Sequence, residues 1–175
     1  MSLYNETDGR PIHPTPVVGC VGLVGDVREV PQGWQEGDAV LLAGEPSLSL
    51  DGSTYQQLYG RLEGLPAPID LDADSLLVSF LWNVAPRCSL VHDVSNGGLA
   101  VALAEAALFS GIGAELDLPG DPLSLFGEGG GQAILAAPPD VARRLKGVPL
   151  RQLGEVGGDS ICGLELSRLE EVWAT

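Results

Sequence analysis

Histidine appears only twice in the 175 residues, at His13 and His92, and cysteine three times, at Cys20, Cys88 and Cys162. Two histidines are too few for a His-based metal centre. Three scattered cysteines with no C-x-x-C pair give neither a disulfide framework nor a metal knuckle, and they suit a reducing cytosol. Cations are scarce as well: Lys and Arg number 9 against 24 Asp and Glu, a net charge of −15. Gripping a phosphate backbone or an anionic membrane surface needs clustered cations, so neither nucleic acid nor membrane is expected as a partner. Aromatics are 5% of the chain and its three tryptophans do not interleave with basic residues, so no base-stacking platform is implied. No apolar run approaches the ~20 residues that span a bilayer, and the opening MSLYNETDGRP holds no signal core. No G-x-S-x-G, Walker A or G-x-G-x-x-G element is present.

What is there is a core. Hydrophobic residues make up 45% of the chain, enough to exclude disorder despite the charge. The length suits one domain. Residues 1–16 are polar and hold Pro11, Pro14 and Pro16, so they read as an extended arm or linker. Residues 17–175 read as a single domain.

Within it, residues 17–24 (VVGCVGLV) have the β-branched, apolar pattern of a strand, and residues 38–43 are a second strand. Residues 52–62 carry helical spacing through Tyr55, Leu58 and Leu62. Residues 71–84 form a helix with Leu76, Leu77, Phe80, Leu81 and Val84 on its apolar side; Asp70, Asp72 and Asp74 suit its positive end. Residues 88–94 (CSLVHDV) read as a buried strand and residues 97–109 as the strongest helix, stopped by Gly111 and Gly113. Residues 114–118 alternate like an edge strand, residues 132–137 form a strand, and Pro139 opens a helix to Leu145. Strands at 152–156 and 161–166 bracket Gly157-Gly158-Asp159 like a hairpin, and a helix over 166–172 closes the chain. Interleaved helices and strands with a terminal hairpin predict an α+β fold, an α/β/α sandwich with a mixed sheet.

Two stretches could carry chemistry. In Val91-His92-Asp93-Val94-Ser95-Asn96-Gly97-Gly98-Leu99 a buried strand runs through a polar turn into the long helix. Ser95 or Asn96 can cap that helix, and Gly97 and Gly98 would let a phosphate reach its free amides. Asp93 is placed to hold a metal or a ligand hydroxyl. The same spacing also suits a capped turn with no ligand. His92 is a candidate general base, though a lone histidine is more often simply hydrogen-bonded. In Phe126-Gly127-Glu128-Gly129-Gly130-Gly131-Gln132, successive glycines permit close backbone approach. The expectation there is a backbone nest with Glu128 aimed into a cleft, or else a flexible loop.

Taken in order, the motifs resemble one family. S-L-Y-N-E-T, then P-T-P and V-G-C-V-G-L, is similar to a domain junction in the synthetase subunits of phosphoribosylformylglycinamidine synthase. H-D-V-S-N-G-G-L resembles that family's D-V-S-(D/N)-G-G-L signature, and F-G-E-G-G-G-Q its F-S-E-S-x-G-R segment. G-D-A-V-L-L-A-G, D-G-S-T-Y and L-G-E-V-G-G-D also fit, so the likeness spans nearly the whole chain.

The resemblance implies the C-terminal domain type of the aminoimidazole ribonucleotide synthetase superfamily. It also implies a share in an ATP- and glutamine-dependent ligase that turns formylglycinamide ribonucleotide into its amidine, with Mg2+ on the phosphates. The family's catalytic histidines and lysine, and a Gly and Asn linked to nucleotide and magnesium, would lie upstream of Met1. The isolated chain is therefore expected to be inactive, with no catalytic residue and no certain cofactor of its own. Ser2 corresponds to a substrate-linked serine. Asp93, Ser95, Asn96, Gly97, Gly98 and Glu128 are the candidate phosphate or nucleotide residues. Gln132 stands where the family has Arg, and Gly127 and Gly129 where it has Ser, which weakens anion binding by that loop. Implied partners are the N-terminal domains of the same subunit, a glutaminase subunit and a small accessory subunit, in the cytoplasm. A homodimerising interaction module, or another ligase or kinase of the superfamily, is the alternative.

Overall fold

The computed structural model describes residues 6–12 and 17–173. His13, Pro14, Pro16 and Ser2 lie outside the described residues. The described part of the arm holds two-residue strands β1 (Glu6–Thr7) and β2 (Arg10–Pro11), paired antiparallel and exposed. The expected strand over 17–24 does not form. Val17, Val18, Val21 and Leu23 are 84–101% exposed and pair with nothing in the sheet. The β pattern is in the residues, but among the described residues no strand pairs with them. The core starts at Trp34, whose indole Nε1 donates to the Ile112 carbonyl at 2.8 Å.

Five residues, Ala39–Ala43, form β3, every one buried. A short helix α1 (Thr54–Leu58) replaces the longer one expected over 52–62; Ser53 caps it by accepting the Gln56 amide. Helix α2 (Leu71–Val84) has the expected bounds, and Asp70 caps it by accepting the amides of Asp72 and Ala73. Next come β4 (Leu90–Asp93) and α3 (Gly98–Ser110). Gly111 ends α3 in the left-handed conformation (φ 69°), its amide reaching the Ala107 carbonyl at 2.8 Å, the glycine stop the sequence announced. Strand β5 (Ala114–Leu116) precedes a helix the sequence reading missed, α4 (Pro122–Phe126), capped by Asp121. The remaining elements are β6 (Ala133–Ala137), α5 (Pro139–Ala142), β7 (Leu150–Val156), β8 (Ser160–Ile161), β9 (Leu164–Glu165) and α6 (Leu166–Trp173).

The seven-stranded sheet runs β4-β6-β3-β7-β5-β8-β9. All its pairs are antiparallel except β5 with β8, so it is mixed, as expected. Two details differ from expectation. Strand β5 lies inside the sheet rather than at its edge, and it separates β7 from β8, so the closing pair is no hairpin.

Alternation along β3 sorts the core into two layers. Val40 and Leu42 face α3, joining Leu99, Leu103 and Ile134; Leu41 and its flanking alanines face α2 and α5, joining Leu77, Phe80 and Leu145. Strands covered on both faces read as continuous apolar runs, as AVLLA and AILAA do. The result is the α/β/α sandwich. Among the described residues no helix is long and apolar enough to cross a membrane.

Candidate functional site

Strand register brings the singled-out stretches to one end of the sheet. Ala43, where β3 stops, pairs with Ala133 at the start of β6 and with Leu150 at the start of β7. Asp93, the last residue of β4, also pairs with Ala133. The turn over 93–98, the loop over 127–132 and the start of β7 therefore meet beside the N-terminus of α3.

Neither Ser95 nor Asn96 caps that helix through its side chain. The residue at the cap is Gly97, left-handed at φ 82°. Its amide donates to Glu128 Oε1 at 2.8 Å, and the same oxygen accepts the Thr54 amide of α1 at 2.8 Å. Glu128 is held there by a two-way backbone bridge: its amide donates to the Ser49 carbonyl at 2.9 Å and the Ser49 amide donates to its carbonyl at 3.0 Å. One carboxylate thus neutralises the amide ends of two helices, the place a bound anion would take. Burial pushes the Glu128 carboxyl up, but the Gly97 and Thr54 amides and the Thr54 side chain outweigh it and hold the group below the usual carboxylate value. The expected nest with Glu128 aimed into a cleft is corrected: it aims at its own chain.

The glycines serve the same closure. A Cβ on Gly98 would lie 2.7 Å from the Phe126 carbonyl carbon, and one on Gly129 would lie 1.9 Å from the Ser47 oxygen. Close backbone approach is real at both places, but the backbone that approaches belongs to this protein. Gly97 and Gly98 are buried, whereas Asp93, Ser95 and Asn96 are exposed. His92 Nδ1 lies 2.6 Å from the Asp93 carbonyl and its Nε2 3.6 Å from Glu105 Oε2, so it is hydrogen-bonded locally. Among the described residues no group of three or more His, Cys, Asp or Glu is placed to hold a metal.

Beside this end is a cleft of about 380 Å3 whose lining includes Glu45, Leu99, Ser124, Gln132 and Arg151. Sequence reasoning did not single out Glu45, Ser124 and Arg151, which line this cleft, nor Thr54 as Glu128's second donor. For Arg151 the one signal was rarity: it is one of only 9 Lys and Arg in the chain. For the others the meeting depends on register that no local pattern carries.

The model for the family described as AIR synthase related protein, C-terminal domain, matches residues 35–166. A Nocardioides protein named phosphoribosylformylglycinamidine synthase subunit PurL is 38% identical over 190 residues, covering 100% of this chain and 25% of its own length. The Thermobifida fusca protein of that name is 41% identical over 174 residues, covering 92% of this chain and 23% of its own. The chain thus spans about a quarter of these relatives. A solved structure of T. maritima PurL complexed with FGAR superposes with a TM-score of 0.63 over 80% of this chain and 29% of the other, at 15% identity, a likeness of fold.

Proposed function

The chain belongs to the AIR synthase related proteins, whose C-terminal domain it contains, and from that premise we propose that it works as the C-terminal part of a phosphoribosylformylglycinamidine synthase. The observation that carries this is coverage: identity near 40% to proteins of that name runs along 92–100% of the chain. In this reading the whole enzyme transfers the γ-phosphoryl of ATP to the amide oxygen of formylglycinamide ribonucleotide, releasing ADP. Ammonia derived from glutamine then bonds to the activated carbon, and phosphate leaves with the oxygen. Mg2+ would offset charge on the phosphates. Catalytic groups and the Mg2+ ligands come from domains outside this chain; Ser2 is the proposed substrate contact.

The contribution of residues 17–175, as one domain, is scaffold. With Glu128 on the Gly97 amide, a phosphate could enter only by displacing a carboxylate and then facing it. This supports an internally closed turn over a nucleotide site. Nucleotide binding through Asp93, Ser95 and Asn96, with Glu128 swung away from Gly97 and Gly98, is the second reading, favoured by the exposure of those three side chains. Residues 1–16 are the proposed linker. The exposed apolar stretch over 17–24 supports a sheet contributed by a neighbouring domain of the same subunit, with glutaminase and accessory subunits as further partners in the cytoplasm.

A chimera tests the proposal. This chain replaces the matching quarter of the Nocardioides relative, and ADP release is measured with formylglycinamide ribonucleotide and ammonia. Retained substrate-dependent release is expected, while the 175-residue chain alone releases none. A folded chimera without turnover would refute the reading, as would turnover by the lone chain.

A further inference from the structure

Helix α2 is apolar on two opposite faces. Leu77, Phe80 and Val84 enter the core. On the far side Leu71, Ser75, Val78 and Trp82 follow one another at spacings of four, three and four residues, one straight stripe on a helix. Leu71 is 76%, Val78 65% and Trp82 81% exposed. The stripe is about 16 Å long at the helical rise, and none of the described residues covers it.

We propose that this stripe is the contact between two copies of the chain, packed as an antiparallel α2 pair about a two-fold axis. A two-fold contact must be self-complementary, and the stripe is. An axis between Ser75 and Val78 sets Leu71 of each copy against Trp82 of the other and Ser75 against Val78, so each large side chain meets a partner and the small serine leaves room. Charge follows the same symmetry. The first turn holds Asp72 and Asp74 next to the capping Asp70, the helix holds no Lys or Arg, and exposed Arg87 follows its last turn. The antiparallel arrangement brings the acidic end of one copy towards Arg87 of the other; a parallel one would stack the acidic ends together. Opposed helix dipoles favour the same direction. The inference goes beyond the ligase proposal and does not depend on it.

Sedimentation equilibrium of the 175-residue chain at tens of micromolar tests it. The expected mass is twice the 18.2 kDa of one chain. Val78→Lys and Trp82→Glu, made singly, should each give the one-chain mass with an unchanged circular dichroism spectrum, and Arg87→Glu should weaken association about tenfold. A one-chain mass for the unaltered protein overturns the proposal and leaves the stripe to another part of a longer polypeptide. So does a dimer that survives both substitutions, or one lost only on changing residues 17–24. The chimera assay reads ADP release, so either idea can fail without the other.

Discussion

Glu128 Oε1 accepts the Gly97 amide at 2.8 Å across 31 residues of sequence, putting a protein carboxylate where α3 would receive an anion. The oxygen's second bond, to Thr54, makes this one side chain the clasp between α1, α3 and the glycine loop. Removing it should leave two helix-end amides without their acceptor. Cap losses run to about 1–2 kcal/mol, so Glu128→Ala should lower Tm by roughly 2–8 °C in a chain of this size. Glu128→Gln keeps one acceptor oxygen and should lose less. Thermal melts by circular dichroism check both, and equal Tm values for all three proteins would contradict the clasp.

The pH dependence has a fixed sign. Glu128 titrates below its ordinary value of 4.5, so its contribution is complete above about pH 4.5 and is lost as pH falls through the lower folded value. Urea midpoints for the unaltered chain and Glu128→Gln should therefore differ most above pH 4.5 and converge as pH falls through the lowered folded value of Glu128. Other carboxylates titrate in both proteins and cancel in the difference.

Nucleotide binding separates the two readings of the turn. Calorimetry with ADP and Mg2+ should give no heat of binding with the unaltered chain if the turn is closed. Binding that Asp93→Ala abolishes would instead establish the turn as a nucleotide site. Glu128→Gln, which removes the repelling charge, should bind at least as tightly as the unaltered chain in that case.

Gly98 has two reasons to be glycine: φ is +72° and a Cβ would strike the Phe126 backbone. The left-handed conformation alone costs a substituted residue about 1–2 kcal/mol, and the clash adds to it. Gly98→Ala should destabilise by more than about 2 kcal/mol in urea unfolding. Gly157→Ala, where a Cβ meets nothing within 4 Å and φ is not left-handed, is the control expected to change little.

Much of this frame could be read from the residues because local patterns decide it. Helix α3 needs only its Ala and Leu run and Gly111; α2 needs Asp70 and its core face. What failed was non-local. Residues 17–24 have a strand's composition, but a strand exists only beside a partner. No turn signal tells that β5 will come between β7 and β8, and no helix rule says that the cap of α3 comes from Glu128 rather than adjacent Ser95. Leu76 shows the same limit on a smaller scale: helical spacing puts it on the apolar side of α2, yet it is 55% exposed while Leu77 beside it is buried.

The three cysteines are free, and their reactivity should follow their surroundings. Burial pushes the Cys88 thiol up to about 11, Arg87 opposing only part of the effect and Asp38 adding to it. At pH 8 about one Cys88 in a thousand is then thiolate, the form that attacks a disulfide reagent. Burial against the α2 layer also blocks access to it. Cys20 lies on the exposed stretch; Cys162 is exposed as a residue, but neighbouring atoms partly desolvate its thiol and raise it. Ellman titration of the native chain at pH 8 should show a fast thiol, Cys20, a slower one, Cys162, and a third that appears only on unfolding. Cys88→Ala should abolish that third phase alone; a Cys88 that reacts as fast as Cys20 in the native chain would mean that the layer between α2 and the sheet is open.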